Sequence, residues 1–188
     1  MRLSTIERNH LFKAWAAISI AFAIAFSGLS AGFFSSVIVA GLTVGLGFIV
    51  HELAHKVVAQ RFGCFAEFRA DTKMLILAIV VSFTGMVFAA PGAVMISGHV
   101  TRRKSGMISL AGPAANIGIA LLFLPVAAGT GLVALAAGYG VTINSWLALF
   151  NLIPFGNLDG AKVLAWDRRV YAGAAASALI MMLVSSLV

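Results

Sequence analysis

Two long runs without a charged side chain constrain this chain more than any other feature: residues 14–50 and residues 105–158 contain no Asp, Glu, Lys or Arg. A helix needs about 20 apolar residues to cross a bilayer. The first run therefore suffices for one full span and most of a second, and the second run for two. The composition agrees, with 61% hydrophobic and 10% charged residues, far too apolar for a soluble domain and typical of a polytopic membrane protein. The expectation is one transmembrane domain over residues 1–188 with no soluble domain beside it. The net charge of +7 sits in short clusters flanking the apolar runs. It is read as topology information and anionic-lipid contact; the Lys/Arg stripe with polar neighbours that a nucleic-acid partner would require is absent. The single Cys64 excludes an internal disulfide and reads as a small loop residue.

Taken in order, the chain opens with a polar lead of Arg2, Arg8 and Lys13 against Glu7, expected on the cytoplasmic side. A turn near residues 28–36 separates the first span from the second, over residues 37–60. The second span carries Gly41 and Gly45, a spacing that lets a neighbouring helix approach closely. Residues 63–73 form a polar connection. The apolar stretch 74–96 is long enough to cross, yet Arg102, Arg103 and Lys104 follow it and belong on the cytoplasmic side. The alternative is an ordinary span kinked at the proline; a re-entrant excursion, or a helix returning through an extended segment around Pro91 to His99, resolves the conflict. Pro91, Gly92 and Gly98 supply its breakers, with a strand-like run between them, and irregular backbone at membrane depth is tolerated only against protein or a wet cavity. This segment should therefore line the active site. Residues 105–158 give two spans parted near Gly129-Thr130-Gly131, and residues 171–188 a last one. The fold class is thus an all-α polytopic membrane protein, with about five to six transmembrane helices and a re-entrant or short β segment near Pro91 to Val100.

Within this apolar chain stands His51-Glu52-Leu53-Ala54-His55. On a helix, residues i and i+4 share a face, so His51 and His55 can converge on one metal ion with Glu52 beside them as general base, the H-E-x-x-H arrangement of zinc peptidases. Ionisable groups inside a span are functional by default. A catalytic zinc takes three protein ligands and keeps one position open, so a third ligand is required. Glu7, Glu67, Asp71, Asp159, Asp167, His10 and His99 are the candidates. Asp159 is favoured, because it follows a Pro/Gly-broken stretch at the end of a span on the side assigned to the histidines, although an N-cap role for the segment starting at Gly160 suits it too. Asp71 is the second choice, in what reads as a solvated ion-pair loop; His10 and His99 read as interface residues.

Three separated motifs, His51-Glu52-Leu53-Ala54-His55, Ala111-Gly112-Pro113-Ala114-Ala115-Asn116, and Asn151-Leu152-Ile153-Pro154 leading to Leu158-Asp159-Gly160, resemble those of the site-2 protease family of intramembrane zinc metalloproteases. With the spans between them they cover about residues 37–163. The resemblance implies zinc ligands at His51, His55 and Asp159, one Zn2+ per chain, and Glu52 as the base. It also implies that Asn151 contacts the substrate backbone or the developing oxyanion. Two positions depart from the family pattern: Ala161 stands where a second glycine often follows the Asp-Gly pair, and the apolar stretch after residue 74 exceeds a minimal re-entrant hairpin. No room is left for a PDZ or other accessory domain, so a minimal core is expected.

The expected activity is hydrolysis of peptide bonds in or near transmembrane segments of membrane protein substrates. The expected location is a cell membrane, multi-pass, with the N-terminus and the active-site end cytoplasmic. Two other classes fit parts of the pattern: a proteolytically silent zinc-binding scaffold, which the complete Glu52 base argues against, and a small metal or proton transporter, which the broken helix near Pro154 suits.

Overall fold

The computed structural model describes residues 3–87 and 91–187. It is 75% helical. Helix α1 (Thr5–Ser27) starts where Ser4 Oγ accepts the Glu7 N–H at 3.1 Å, so the expected polar lead is already its first turns. Helices α2 (Phe33–Ala40) and α3 (Leu46–Arg61) form one continuous rod through a π-helical turn, Gly41–Gly45. That turn lies where Trp15 of α1 presses in, its indole N–H donating to the Gly41 carbonyl at 3.0 Å. A Cβ at Gly41 would meet the indole at 2.9 Å and one at Gly45 at 2.7 Å. The glycine pair thus serves the close helix contact expected of it.

The polar connection expected over residues 63–73 is instead a strand, β1 (Phe65–Ala70). Helix α4 (Thr72–Ser82) follows, capped by the Asp71 carboxylate, and then β2 (Gly92–Ser97), antiparallel to β1 with Phe68 opposite Val94 and Ala70 opposite Gly92. The Asp71 N–H donates to the Pro91 carbonyl at 3.1 Å, so the excursion between them leaves and returns at one point. At 11 residues, α4 reaches about half the hydrocarbon thickness. The ends of the excursion thus lie side by side, as a returning segment requires; residues 88–90 lie outside the described residues.

Helix α5 (Arg102–Ala127), capped by Thr101, is the hub of the bundle. It packs on α3, on α6 (Gly131–Asn151), on α7 (Asp159–Trp166) and on α8 (Arg168–Ser185). Among the described residues, four helical stretches are long and apolar enough to cross a membrane: α1, the α2–α3 rod, α5 and α6. Helix α8 lies over the residues expected for a last span but is not one of these four, so four of the expected five to six spans are found among the described residues. The largest core cluster joins Leu11, Ala14 and Ile18 of α1 to Val44 and Phe48 of the rod, Phe68 of β1 and Ile143 of α6. The sheet is therefore bolted to the same end of the bundle as the second half of α3.

Candidate metal centre

His51 and His55 lie one turn apart on the inner face of α3, both buried, with ring centroids 4.6 Å apart and planes nearly perpendicular. Each ring is oriented through Nδ1. The His51 Nδ1 lies 2.6 Å from Asn116 Oδ1, and the His55 Nδ1 lies 2.7 Å from the Ile108 carbonyl oxygen, both on α5. A carbonyl oxygen only accepts, so Nδ1 of His55 carries its proton. The Asn116 amide is turned the same way, because its Nδ2 donates to the Gly47 carbonyl at 3.2 Å and to Asn144 Oδ1 at 3.0 Å. In both rings the lone pair is left on Nε2, facing the space between α3, α5 and α7. This carbonyl-to-imidazole support is the usual companion of a metal-ligating histidine.

Asp159 closes that space. As the first residue of α7 it makes no cap; Leu158 is the cap residue and contributes no side-chain bond. Its Oδ2 lies 3.4 Å from His51 Nε2 and 3.2 Å from His55 Nε2. With zinc–ligand bonds near 2.0–2.1 Å, two ligands of a tetrahedral ion are separated by about 3.3 Å. The observed separations match that edge, so the donor set fits zinc. Glu52 is also near, its carboxylate and the two histidines having ligand atoms within 4.8 Å of one another. That limit is looser than a coordination edge, and the Val94 backbone N–H faces the Glu52 carboxylate. We therefore take Asp159 rather than Glu52 as the better third donor.

The other acidic candidates are engaged elsewhere. Asp71 caps α4 by accepting from Lys73 N and Met74 N, and Asp167 caps α8. Glu67 holds Arg69 at 2.7 Å and accepts from Ser4, and Glu7 pairs with Lys56. His10 accepts the Ala70 N–H at 3.0 Å, while His99 lies exposed just past β2. Cys64 is buried in the loop before β1, in a cluster with Ala59, Ala66 and Ile108.

Gly112 of α5 abuts both imidazoles. A Cβ there would lie 2.5 Å from His55 Nε2 and 2.6 Å from His51 Cε1. Gly160 likewise lets α7 sit against the end of α6, since its Cβ would fall 2.1 Å from the Leu152 carbonyl oxygen. The glycines of the second and third motifs are thus what allow α5 and α7 to close on the zinc helix. A cavity of about 540 Å³ opens over the cluster, walled by Gly92, Val94 and Ile96 of β2, by Ser109, and by Asn151 and Phe155 to Leu158. Asn151 reaches this wall with one amide N–H given to the Leu147 carbonyl at 2.9 Å, which leaves its second N–H.

The sheet presents an edge to the cavity. In an antiparallel ladder, opposed residues alternate between bonded and non-bonded pairs. The Phe68 N–H goes to Glu7 Oε1 at 3.0 Å and the Ala70 N–H to His10, so neither is given to β2. Their partners Val94 and Gly92 therefore turn their own N–H and C=O away from β1, which is the direction of Glu52. Sequence reasoning missed this arrangement, together with the Asn116–Asn144 relay behind His51 and the Lys56–Glu7 pair. A signal existed for the relay: an Asn in an uncharged span has to find a partner.

A membrane-embedded metal centre of this kind has relatives in other organisms. The protein "Putative zinc metalloprotease MJ0611" of Methanocaldococcus jannaschii is 38% identical over 160 residues, covering 82% of this chain and 82% of that protein. "Putative zinc metalloprotease Rip3" of Mycobacterium tuberculosis is 32% identical over 123 residues, covering 62% of this chain and 27% of that protein. No family model and no solved structure matches the chain. The class is therefore that of a membrane zinc metalloprotease. More narrowly, the chain belongs to the site-2 protease family of intramembrane zinc metalloproteases.

Proposed function

We propose that this chain is a multi-pass intramembrane endopeptidase that hydrolyses peptide bonds in or near transmembrane segments of membrane proteins. One Zn2+ would be held by His51, His55 and Asp159. The observation that carries the reading is the position of Asp159 Oδ2, 3.4 and 3.2 Å from the two Nε2 atoms, which matches the ligand spacing of tetrahedral zinc. Zinc bound there supplies Lewis acidity and lowers the pKa of a bound water toward about 7.

The protein groups do the rest. Glu52 takes a proton from the attacking water and returns it to the leaving nitrogen, so that one water is added across the C–N bond. The free N–H of Asn151 suits the carbonyl oxygen as charge develops on it. Losing one such donor costs about 10²- to 10³-fold in other hydrolases. A transmembrane substrate hides its scissile carbonyl in helical bonds, and the backbone groups that Gly92 and Ile96 turn away from β1, together with the Val94 carbonyl, offer an extended segment an edge to join.

The test is metal content set beside cleavage of a single-span substrate. His51→Ala, His55→Ala and Asp159→Ala are each expected to lose zinc, whereas Glu52→Gln keeps zinc and loses cleavage by about 10²- to 10⁴-fold. Full zinc content in Asp159→Ala would move the third ligand elsewhere. The orientation has its own check. With Arg102, Arg103 and Lys104 cytoplasmic, a Ser105→Cys, Cys64→Ala variant reacts with an impermeant thiol reagent from the inside only. Labelling from the outside would make the stretch from Met74 to Ile96 a true crossing.

A further inference from the structure

Directly after His55, Lys56 stands one turn beyond Glu52 on α3 and is 2% exposed; its partner Glu7, in the first turn of α1, is 0% exposed. The ammonium binds Glu7 Oε2, and Glu7 Oε1 accepts the Phe68 N–H at 3.0 Å. One carboxylate thus joins three elements: the helix carrying the metal motif, the first helix and β1. The neighbouring bonds continue the same seam. Ala70 N–H goes to His10, one turn along α1, and Ser4 donates to Glu67 of β1. All of these contacts lie on the edge of β1 opposite β2, and they leave the far edge of β2 as the one that faces Glu52.

From this seam we infer that Glu7 and Lys56 are positioning residues for the substrate: the pair fixes the height of the β2 edge relative to the metal motif, and so selects which substrate bond lies over it. The inference rests on the protease reading above. Its physical basis is that a two-stranded sheet is marginal by itself and needs an external anchor. Here the anchor is a buried charge pair whose cationic member belongs to the metal-bearing helix, so the edge and the histidines are referred to one rigid element. An edge free to slide would move a substrate strand in steps of two residues, because only alternate groups face outward.

The test uses a variant that leaves no lone buried charge, Glu7→Leu with Lys56→Met, because removing one partner alone endangers folding. Spin labels on Arg61→Cys and Met95→Cys, both exposed in the native protein, in a Cys64→Ala background, report the distance between α3 and β2 without any need for activity. The expected result is a broadened or shifted distance distribution with zinc content retained. Cleavage of a single-span substrate should fall by on the order of 100-fold, and mass spectrometry should find products cut at additional bonds. Glu7→Gln with Lys56→Met keeps an acceptor for the Phe68 N–H but not the link to α3, so its distribution should stay broadened; a narrow distribution and the native cut in this variant would overturn the part given to Lys56. An unchanged distribution in the Leu/Met variant would overturn the inference, as would reduced cleavage confined to the native bond. Failure of the protease reading looks different: the wild-type chain would then cleave no faster than Glu52→Gln, while the distances would still decide what the pair does.

Discussion

The two flanks of the cavity are built on opposite principles. On the metal flank, α3, α5 and α7 close to van der Waals contact, with Gly112 and Gly160 removing the Cβ atoms that would hold them apart and every imidazole Nδ1 bonded. On the other flank stands a two-stranded sheet whose inner edge pairs with no further strand among the described residues, and whose β2 side chains alternate between half-buried and exposed. The first flank is satisfied within the protein; the second has backbone groups left for something else. A peptidase needs both, since a metal site must be preorganised whereas a binding edge must keep free donors and acceptors.

Gly112→Ala gives the strongest way to break the comparison. The added methyl lies within 2.6 Å of both imidazoles, so the rings must rotate or α5 must retreat. Zinc content is expected to collapse and cleavage to fall to background, while the bundle stays folded by circular dichroism. Retention of stoichiometric zinc would mean that the metal flank is softer than its packing implies.

Proline substitutions along β2 sharpen the other side. Proline removes an N–H. At Ile96 that group is turned away from β1 toward the cavity, so Ile96→Pro should leave the ladder to β1 intact and zinc bound. Cleavage of a stable helical substrate should drop by about 10-fold or more, the size of a lost hydrogen bond of about 1.5 kcal/mol. A substrate already extended near the scissile bond should suffer less. At Met95, by alternation, the N–H belongs to the ladder, and Met95→Pro should disrupt the sheet and slow both substrates alike. Equal behaviour of the two variants would remove the alternation argument.

The two flanks were also unequally legible from the sequence. His51, Glu52, His55 and Asp159 stood out because ionisable groups are rare in this chain and must be accounted for, and the re-entrant segment followed from the conflict between apolar stretch 74–96 and the cations after it. The sheet was harder. Ala66 and Phe68 point inward, a period-two signal, but Glu67 and Arg69 between them read as a solvated connection. Ile108 supports His55 through a backbone carbonyl, which no side-chain pattern reveals. Glu7 and Lys56 are 49 positions apart, and nothing local to either residue foretells the other.

Within the metal flank the two histidines themselves differ, and the difference predicts the smallest effect. His55 is held by a backbone carbonyl that substitution leaves in place. His51 depends on a side-chain relay: Asn116 is oriented by Gly47 and Asn144, and Asn144 in turn donates to the Gly140 carbonyl at 2.9 Å. Losing an outer-shell partner typically costs 10- to 100-fold in metal affinity, so Asn116→Ala should weaken zinc binding by about that factor. Asn144→Ala removes only one of the two groups that orient Asn116, so the Gly47 carbonyl still fixes the amide, and the loss should be about 3-fold, under 1 kcal/mol. Competition with a chelator of known affinity ranks the variants. The order wild type, Asn144→Ala, Asn116→Ala is required if support passes along the relay; equal loss in both would mean that the three groups act as one unit, with the amide orientation lost as soon as any contact is removed.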